Sequence, residues 1–240
     1  MSLPLVSILI PTFRRPLMLA ECVESARRQD YRGQLQLVVV NDDPSTTLRM
    51  HDYPCDIINS PTRFPTLGDK RNRLMREVRG DIVQWWDDDD IALPDHVSRA
   101  VSRLTAGREP AVRLHRVYEW NGTAVRVVPP QPLCGVTMTA IAMREVGDFP
   151  SVDRDEDLAW RRVALGMRWF HGEDHHKAHH APTFIYRAHS GPRCETHTPD
   201  QWNAAHPVDA DASAQQVAIS PVWFSDYTAT CRNATKVPLH

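Results

Sequence analysis

The chain has 240 residues, 42% hydrophobic and 24% charged, enough to bury one large core and too apolar for a disordered or low-complexity protein. Its formal net charge of −2 argues against a uniformly basic nucleic-acid binder. Its five cysteines are scattered with no CxxC pair, which disfavours a disulfide framework and a zinc ribbon. No apolar run reaches the ~18 residues of a membrane span, and the opening MSLPLVSILIPTFRRP lacks a basic start with a cleavable site, so a soluble, cytoplasmic protein with no membrane span is expected.

In chain order, VSILIP is a β-branched run stopped by Pro11, and LQLVVVNDD a second, stopped by Asp42-Asp43-Pro44. Between them PLMLAECVESARRQ places Leu17, Cys22, Val23 and Ala26 at helical spacing and ends in basic residues. CDIIN predicts a third strand, LGDKRNRLMREVRG a basic helix closed by Gly80, and DIVQWW a fourth strand apolar enough to be central. The first ninety or so residues therefore read as a doubly wound α/β half. Further on, AVRLHRVYEW and TAVRVV alternate as strands, with Asn121-Gly122 between them as a hairpin signal. DLAWRRVALG predicts a short amphipathic helix, TFIYRAHS a strand, and the chain after Gly191 a loop-rich tail with one helix. The expected layout is one domain with halves over 1–95 and 96–190, and the tail over 191–240.

The unusual segment is IVQWWDDDDIALP, where a run that reads as buried ends in four consecutive aspartates. Neighbouring carboxylates repel, and burial makes that costly unless a cation or a set of donors offsets it. In an open α/β sheet the ligand site lies at the carboxyl ends of the strands, where Pro11-Thr12, Asp42-Asp43 and Asp87 to Asp90 collect. Oxygen-only ligands suit Mg²⁺ or Mn²⁺, which usually hold substrate phosphates through one or two carboxylates. Plainer readings exist for each piece taken alone. Asp42-Asp43-Pro44 suits a turn, Trp85 and Trp86 suit the core with one ring on each face, Lys70 to Arg79 suits a solvated helix face, and an N-cap would explain one or two of the aspartates.

VSILIPTFRRP, VVVNDDPS and LGDKRNRLMREVRGDIVQWWDDDDIALPDH, in that order, resemble the nucleotide-sugar glycosyltransferases of family 2. The resemblance runs from Val6 to about His189. It implies a GT-A fold, an α/β, Rossmann-like doubly wound mixed sheet with a smaller acceptor-side region. It also implies that 1–95 is the nucleotide-sugar-binding half and 96–190 the acceptor-binding and catalytic half of the same domain, and it implies roles. Pro11, Thr12 and Arg14 lie near the nucleoside, Asp42 near the base with Arg71 beside it, Asp87 at the ribose and Asp88 among the nucleotide contacts. Asp89 and Asp90 bind Mn²⁺ or Mg²⁺, and His189 approaches the metal or diphosphate. Asn41 departs from the family's usual residue there. For the general base the family uses a carboxylate at a helix start; in VDRDEDLAWRRVALG alignment on Leu158 and Arg161 selects Asp155, and alignment on the Glu-Asp pair selects Asp157.

The implied function is metal-dependent, inverting transfer of a sugar from a nucleoside-diphosphate sugar, UDP first, to an acceptor hydroxyl on a glycan, small molecule or modified nucleic acid. Two other classes stay open: a metal-dependent phosphoesterase or nuclease, and a non-catalytic nucleotide-sugar-binding module. The histidine-rich HGEDHHKAHH lacks an HExxH pattern and reads as a solvated loop.

Overall fold

The structure is a computed structural model, and it describes residues 2–107, 110–114, 116–120, 125–128, 135–166, 182–187, 215–219, 223 and 227. The strands are β1 (Val6–Thr12), β2 (Leu35–Asn41), β3 (Thr46–Met50), β4 (Asp56–Asn59), β5 (Ile82–Trp85), β6 (Ile91–Ala92), β7 (Ala111–Val112), β8 (Val117–Trp120), β9 (Val125–Val128), β10 (Thr137–Thr139), β11 (Phe184–Arg187) and β12 (Gln215–Ile219). The helices are α1 (Pro16–Arg27), α2 (Leu67–Met75), α3 (His96–Ala106), α4 (Ala140–Val146) and α5 (Glu156–Gly166). Among the described residues no helix is long and apolar enough to cross a membrane.

The main sheet has the order β4-β2-β1-β5-β10-β7. Its first four strands run parallel, β10 runs antiparallel to β5, and β7 antiparallel to β10, so the mixed α/β sheet expected from the sequence is present. Every residue of β1 and β5 is buried, because helices cover both faces and each strand must be apolar on both sides. Ile8, Ile10 and Trp86 pack into one cluster with α1 and α3, whereas Leu9, Val83 and Trp85 pack into the other with Leu74 of α2. The two tryptophans do point to opposite faces. Trp85 meets Phe149 edge-on at 5.1 Å, and Phe149 stacks on Trp160 at 4.8 Å. A second sheet, ordered β6-β11-β8-β9, lies after the aspartates, and β12 pairs with β3 in parallel.

Several local expectations change. Leu17 is 67% exposed, and Leu19 replaces it in the buried stripe Leu19, Cys22, Val23, Ala26, which is the spacing a single helix face requires. The basic helix stops at Met75, and Gly80 closes no helix. A Cβ there would lie 2.7 Å from the backbone of Leu5 and Ser7, so Gly80 is the point where the chain crosses β1 before entering β5. Lys70 and Arg71, on the helix face read as solvated, are buried. β3, α3 and α4 were not anticipated. Residues 215–219, placed in the loop-rich tail, form β12. Asn121-Gly122 and the cluster His171–His180 lie outside the described residues.

Candidate active site

Parallel pairing brings three strand ends together, with Thr12 opposite Asn41 and Leu9 opposite Trp85. Asn41 braces the turn beyond β2: its amide donates to Thr46 O and Asn59 Oδ1, each at 3.0 Å, and its oxygen accepts from the Asp43 amide. Asp43 accepts from the backbone and hydroxyl of Ser45 and from Arg14 Nε at 3.2 Å. The plain turn reading describes Asp43 well. Asp42 behaves differently, because it is fully buried, with Lys70 Nζ 2.6 Å from Oδ1 and the Phe64 amide donating to Oδ2 at 3.2 Å. Lys70 is equally buried and also donates to Thr12 O. Burial pulls its pKa down against the opposing pull of Asp42. The ring of Phe13 lies beside this pair, with the guanidinium of Arg63 4.2 Å and that of Arg14 5.1 Å from its centroid.

α2 begins at Thr66, whose hydroxyl accepts from the Asp69 amide, a side-chain cap for a free N–H group. Its buried residues are Gly68, Lys70, Arg71 and Leu74. Arg71 joins two distant segments, with Nε donating to Glu156 Oε1 and Nη2 to Asp87 Oδ1, both at 3.1 Å. Its third nitrogen, Nη1, is buried with no hydrogen-bond partner among the described residues. Arg71 therefore sits between Asp87 and the start of α5 rather than beside Asp42.

Asp87, Asp89 and Asp90 each offer a carboxylate oxygen within 4.8 Å of the others'. Asp88 turns away and accepts from Thr12 Oγ1 at 2.7 Å and from Arg15 Nη1 at 2.9 Å. Burial pushes its pKa up to about 6. Asp90 is raised as well, by burial first and then by repulsion from Asp89 and Asp87, and its Oδ1 is buried without a hydrogen-bond partner among the described residues. An all-carboxylate donor set with an unsatisfied buried oxygen fits a hard divalent cation such as Mg²⁺ or Mn²⁺. The Asp89 carbonyl is held by Arg187 Nε, and Arg187 pairs in turn with Glu21.

The two base candidates lie at the start of α5, which Arg71 ties to Asp87. Asp155 is exposed and takes φ 58°, a left-handed conformation uncommon for residues with a side chain. Its carbonyl receives the first helical hydrogen bond, from the Ala159 amide at 2.8 Å. Asp157 is half-buried, and its Oδ1 accepts from the Leu158 amide. Burial raises its pKa against the attraction of Arg71. Glu156 between them is buried on Arg71. His189 lies outside the described residues. Sequence reasoning missed Arg15, Lys70, Glu156 and Arg187. The stripe at 67, 70, 71 and 74 was the available signal for Lys70. The partners of the other three are distant in sequence.

The profile of the family described as "Glycosyl transferase family 2" matches residues 7–132. An N-acetylglucosaminyltransferase of Azorhizobium caulinodans is 33% identical over 112 residues, covering 43% of this chain and 28% of that protein. One from Bradyrhizobium elkanii is 32% identical over 111 residues, covering 42% and 60%. The chain thus matches less than two thirds of these relatives' length. Among solved structures, S. aureus TarS 1–349 in complex with UDP-GlcNAc is similar with a TM-score of 0.59 at 15% identity, over 80% of this chain and 60% of that one. The mannosyltransferase PcManGT of Pyrobaculum calidifontis, in complex with GDP-Man and Mn²⁺, is similar with a TM-score of 0.51 at 18% identity, over 69% and 53%. At these identities the likeness concerns the fold.

Proposed function

Because the chain belongs to glycosyl transferase family 2 and has the GT-A fold, we propose that it transfers a sugar from a nucleoside-diphosphate sugar to an acceptor hydroxyl, with divalent metal dependence and inversion. The observation that carries the reading is the convergence of Asp87, Asp89 and Asp90, with Arg71 joining Asp87 to Glu156 at the start of α5. UDP-GlcNAc is the first donor to test. The relatives are named N-acetylglucosaminyltransferases, and a structure of similar fold holds that compound.

Asp87, Asp89 and Asp90 would hold the Mg²⁺ or Mn²⁺ ion, which supplies Lewis-acid stabilisation to a departing diphosphate. The chain's own part begins with Thr12, Arg14 and the Asp42 region, which would line the nucleoside side. Asp87 carries the ribose contact, and Arg71 fixes its carboxylate. Asp155 takes the acceptor proton as the hydroxyl attacks the anomeric carbon. A left-handed backbone at a residue other than glycine costs energy, and such strain collects where a side chain must be aimed. Asp157, tied to its own helix start, is the reserve. A retaining double displacement needs a second nucleophilic carboxylate on the donor's other face, and the single base favours inversion.

Incubation with UDP-GlcNAc and Mn²⁺ should release UDP slowly without acceptor and faster with a hydroxyl acceptor. Asp155→Asn should leave UDP affinity nearly unchanged and cut turnover roughly a hundredfold. A dead Asp157→Asn beside a fully active Asp155→Asn would move the base. Retained anomeric configuration by NMR would refute inversion, and phosphate-ester cleavage without sugar transfer would favour a phosphoesterase.

A further inference from the structure

One cation at the acidic strand end has no part in the reaction above. Arg15 occupies the turn between β1 and α1, with φ −127° and ψ 56°. Pro16 follows it, and a residue before proline is kept out of the helical region. The turn carries the guanidinium back over the end of β5. There a single nitrogen, Nη1, donates to Asp88 Oδ1 at 2.9 Å and to Asp89 Oδ2 at 2.6 Å. The arginine side chain is 19% exposed and the aspartates only 3% and 7%, so these interactions are poorly screened by water. Asp88 also has the Thr12 hydroxyl. Asp89 is the shared residue, because it is both a partner of Arg15 and a member of the convergent trio with Asp87 and Asp90. The buried Oδ1 of Asp90, without a hydrogen bond among the described residues, marks the same spot as a cation site.

We propose that Arg15 is a hand-over residue: it competes with the divalent cation for Asp89, and once displaced it turns to the diphosphate of the donor. The inference rests on the transferase reading. Its logic is charge balance. Asp88 and Asp89 hold one positive charge through Arg15, a divalent ion brings two, and the incoming diphosphate then offers the displaced guanidinium a new anionic partner. Arginine suits the exchange because its planar fork fits carboxylate and phosphate oxygens alike. The consequence is ordered affinity. Cation alone binds weakly, and cation with nucleotide binds well.

The sign of the effect separates this role from a fixed brace. If Arg15 only oriented Asp89, its loss would weaken cation binding; if it competes, its loss strengthens it. Free Mn²⁺ is titrated by EPR against wild type, Arg15→Gln and Arg15→Lys, and UDP is titrated calorimetrically at saturating Mn²⁺. Arg15→Gln should bind Mn²⁺ alone roughly tenfold tighter and UDP roughly tenfold weaker, the scale of removing one charge-assisted hydrogen bond. Arg15→Lys should keep the weak affinity for Mn²⁺ alone and still lose UDP affinity, because a point charge replaces the fork. Unchanged or weaker Mn²⁺ binding by Arg15→Gln, or unchanged UDP affinity, overturns the inference while leaving the transferase reading in place. A wild type that binds neither Mn²⁺ with UDP nor any other nucleoside diphosphate overturns the transferase reading itself.

Discussion

Lys70 and Asp42 are both without solvent exposure and lie 2.6 Å apart, so each is the other's charge partner in the interior. Removing one partner of such a pair strands the other charge in the interior and costs about 3–5 kcal/mol. Lys70→Met should therefore lower unfolding free energy by about that amount in urea denaturation, and Lys70→Met combined with Asp42→Asn should recover most of it. Additive losses in the double variant would show that the two side chains do not depend on each other. His96 makes a comparable case with the opposite proton logic. It is buried against Trp86 and Phe184, with Nδ1 2.9 Å from Thr183 Oγ1, and burial depresses its pKa to about 3. The unfolded chain, with a histidine pKa of about 6.5, then binds the proton more readily than the folded one, so stability falls as pH drops below that value. Relative to His96→Gln, which keeps a polar partner for Thr183 and does not titrate, wild type should lose up to about 1.4 kcal/mol for each pH unit between 6 and 4. A constant difference between the two across that range would contradict a neutral buried imidazole.

At the scale of elements, α2 does the coupling. Its first turn lies against residues 149–152: Gly68 N donates to Val152 O, Ser151 Oγ to Asp69 Oδ2 at 2.8 Å, and Asn72 exchanges hydrogen bonds with the backbone of Phe149. A Cβ at position 68 would stand 1.9 Å from Pro150 O, which no small adjustment accommodates. Because the clash is with backbone, Gly68→Ala must push α2 away from the segment that leads into α5, and with it Arg71 from Glu156. Overpacking of this kind usually costs about 1–3 kcal/mol. The expected signature is a lower melting temperature together with a turnover loss greater than any loss of UDP affinity, measured by calorimetry and product release. If UDP affinity and turnover fall by the same factor, α2 serves the donor alone.

For the whole molecule, the parts that could be read from the sequence are those whose causes are local. Strands buried on both faces are apolar along their length, so β1, β2 and β5 stand out as uninterrupted runs, and a row of carboxylates after such a run announces a charge that must be balanced. The rest depended on distant partners. Thr46–Met50 looks like a loop because its partner is β12, and β6 is two residues long. Arg15 and Glu156 look like ordinary surface charges until the fold places Asp88, Asp89 and Arg71 beside them. Arg187 is similar, since its partner Glu21 is 166 residues away.

Glu21 is buried, and besides Arg187 it accepts a hydrogen bond at 2.6 Å from Tyr227, 206 residues further along. During synthesis Glu21 is made 166 residues before Arg187 and 206 residues before Tyr227, and domains form their long-range interactions only when both ends exist. Until then the acidic side chain at the heart of α1 waits for the Arg187 cation and the Tyr227 hydroxyl, and the carbonyl of Asp89 waits for the same arginine. The segment that carries β1, α1 and the aspartate row is thus made before residues 187 and 227 yet takes its last buried hydrogen bonds from them.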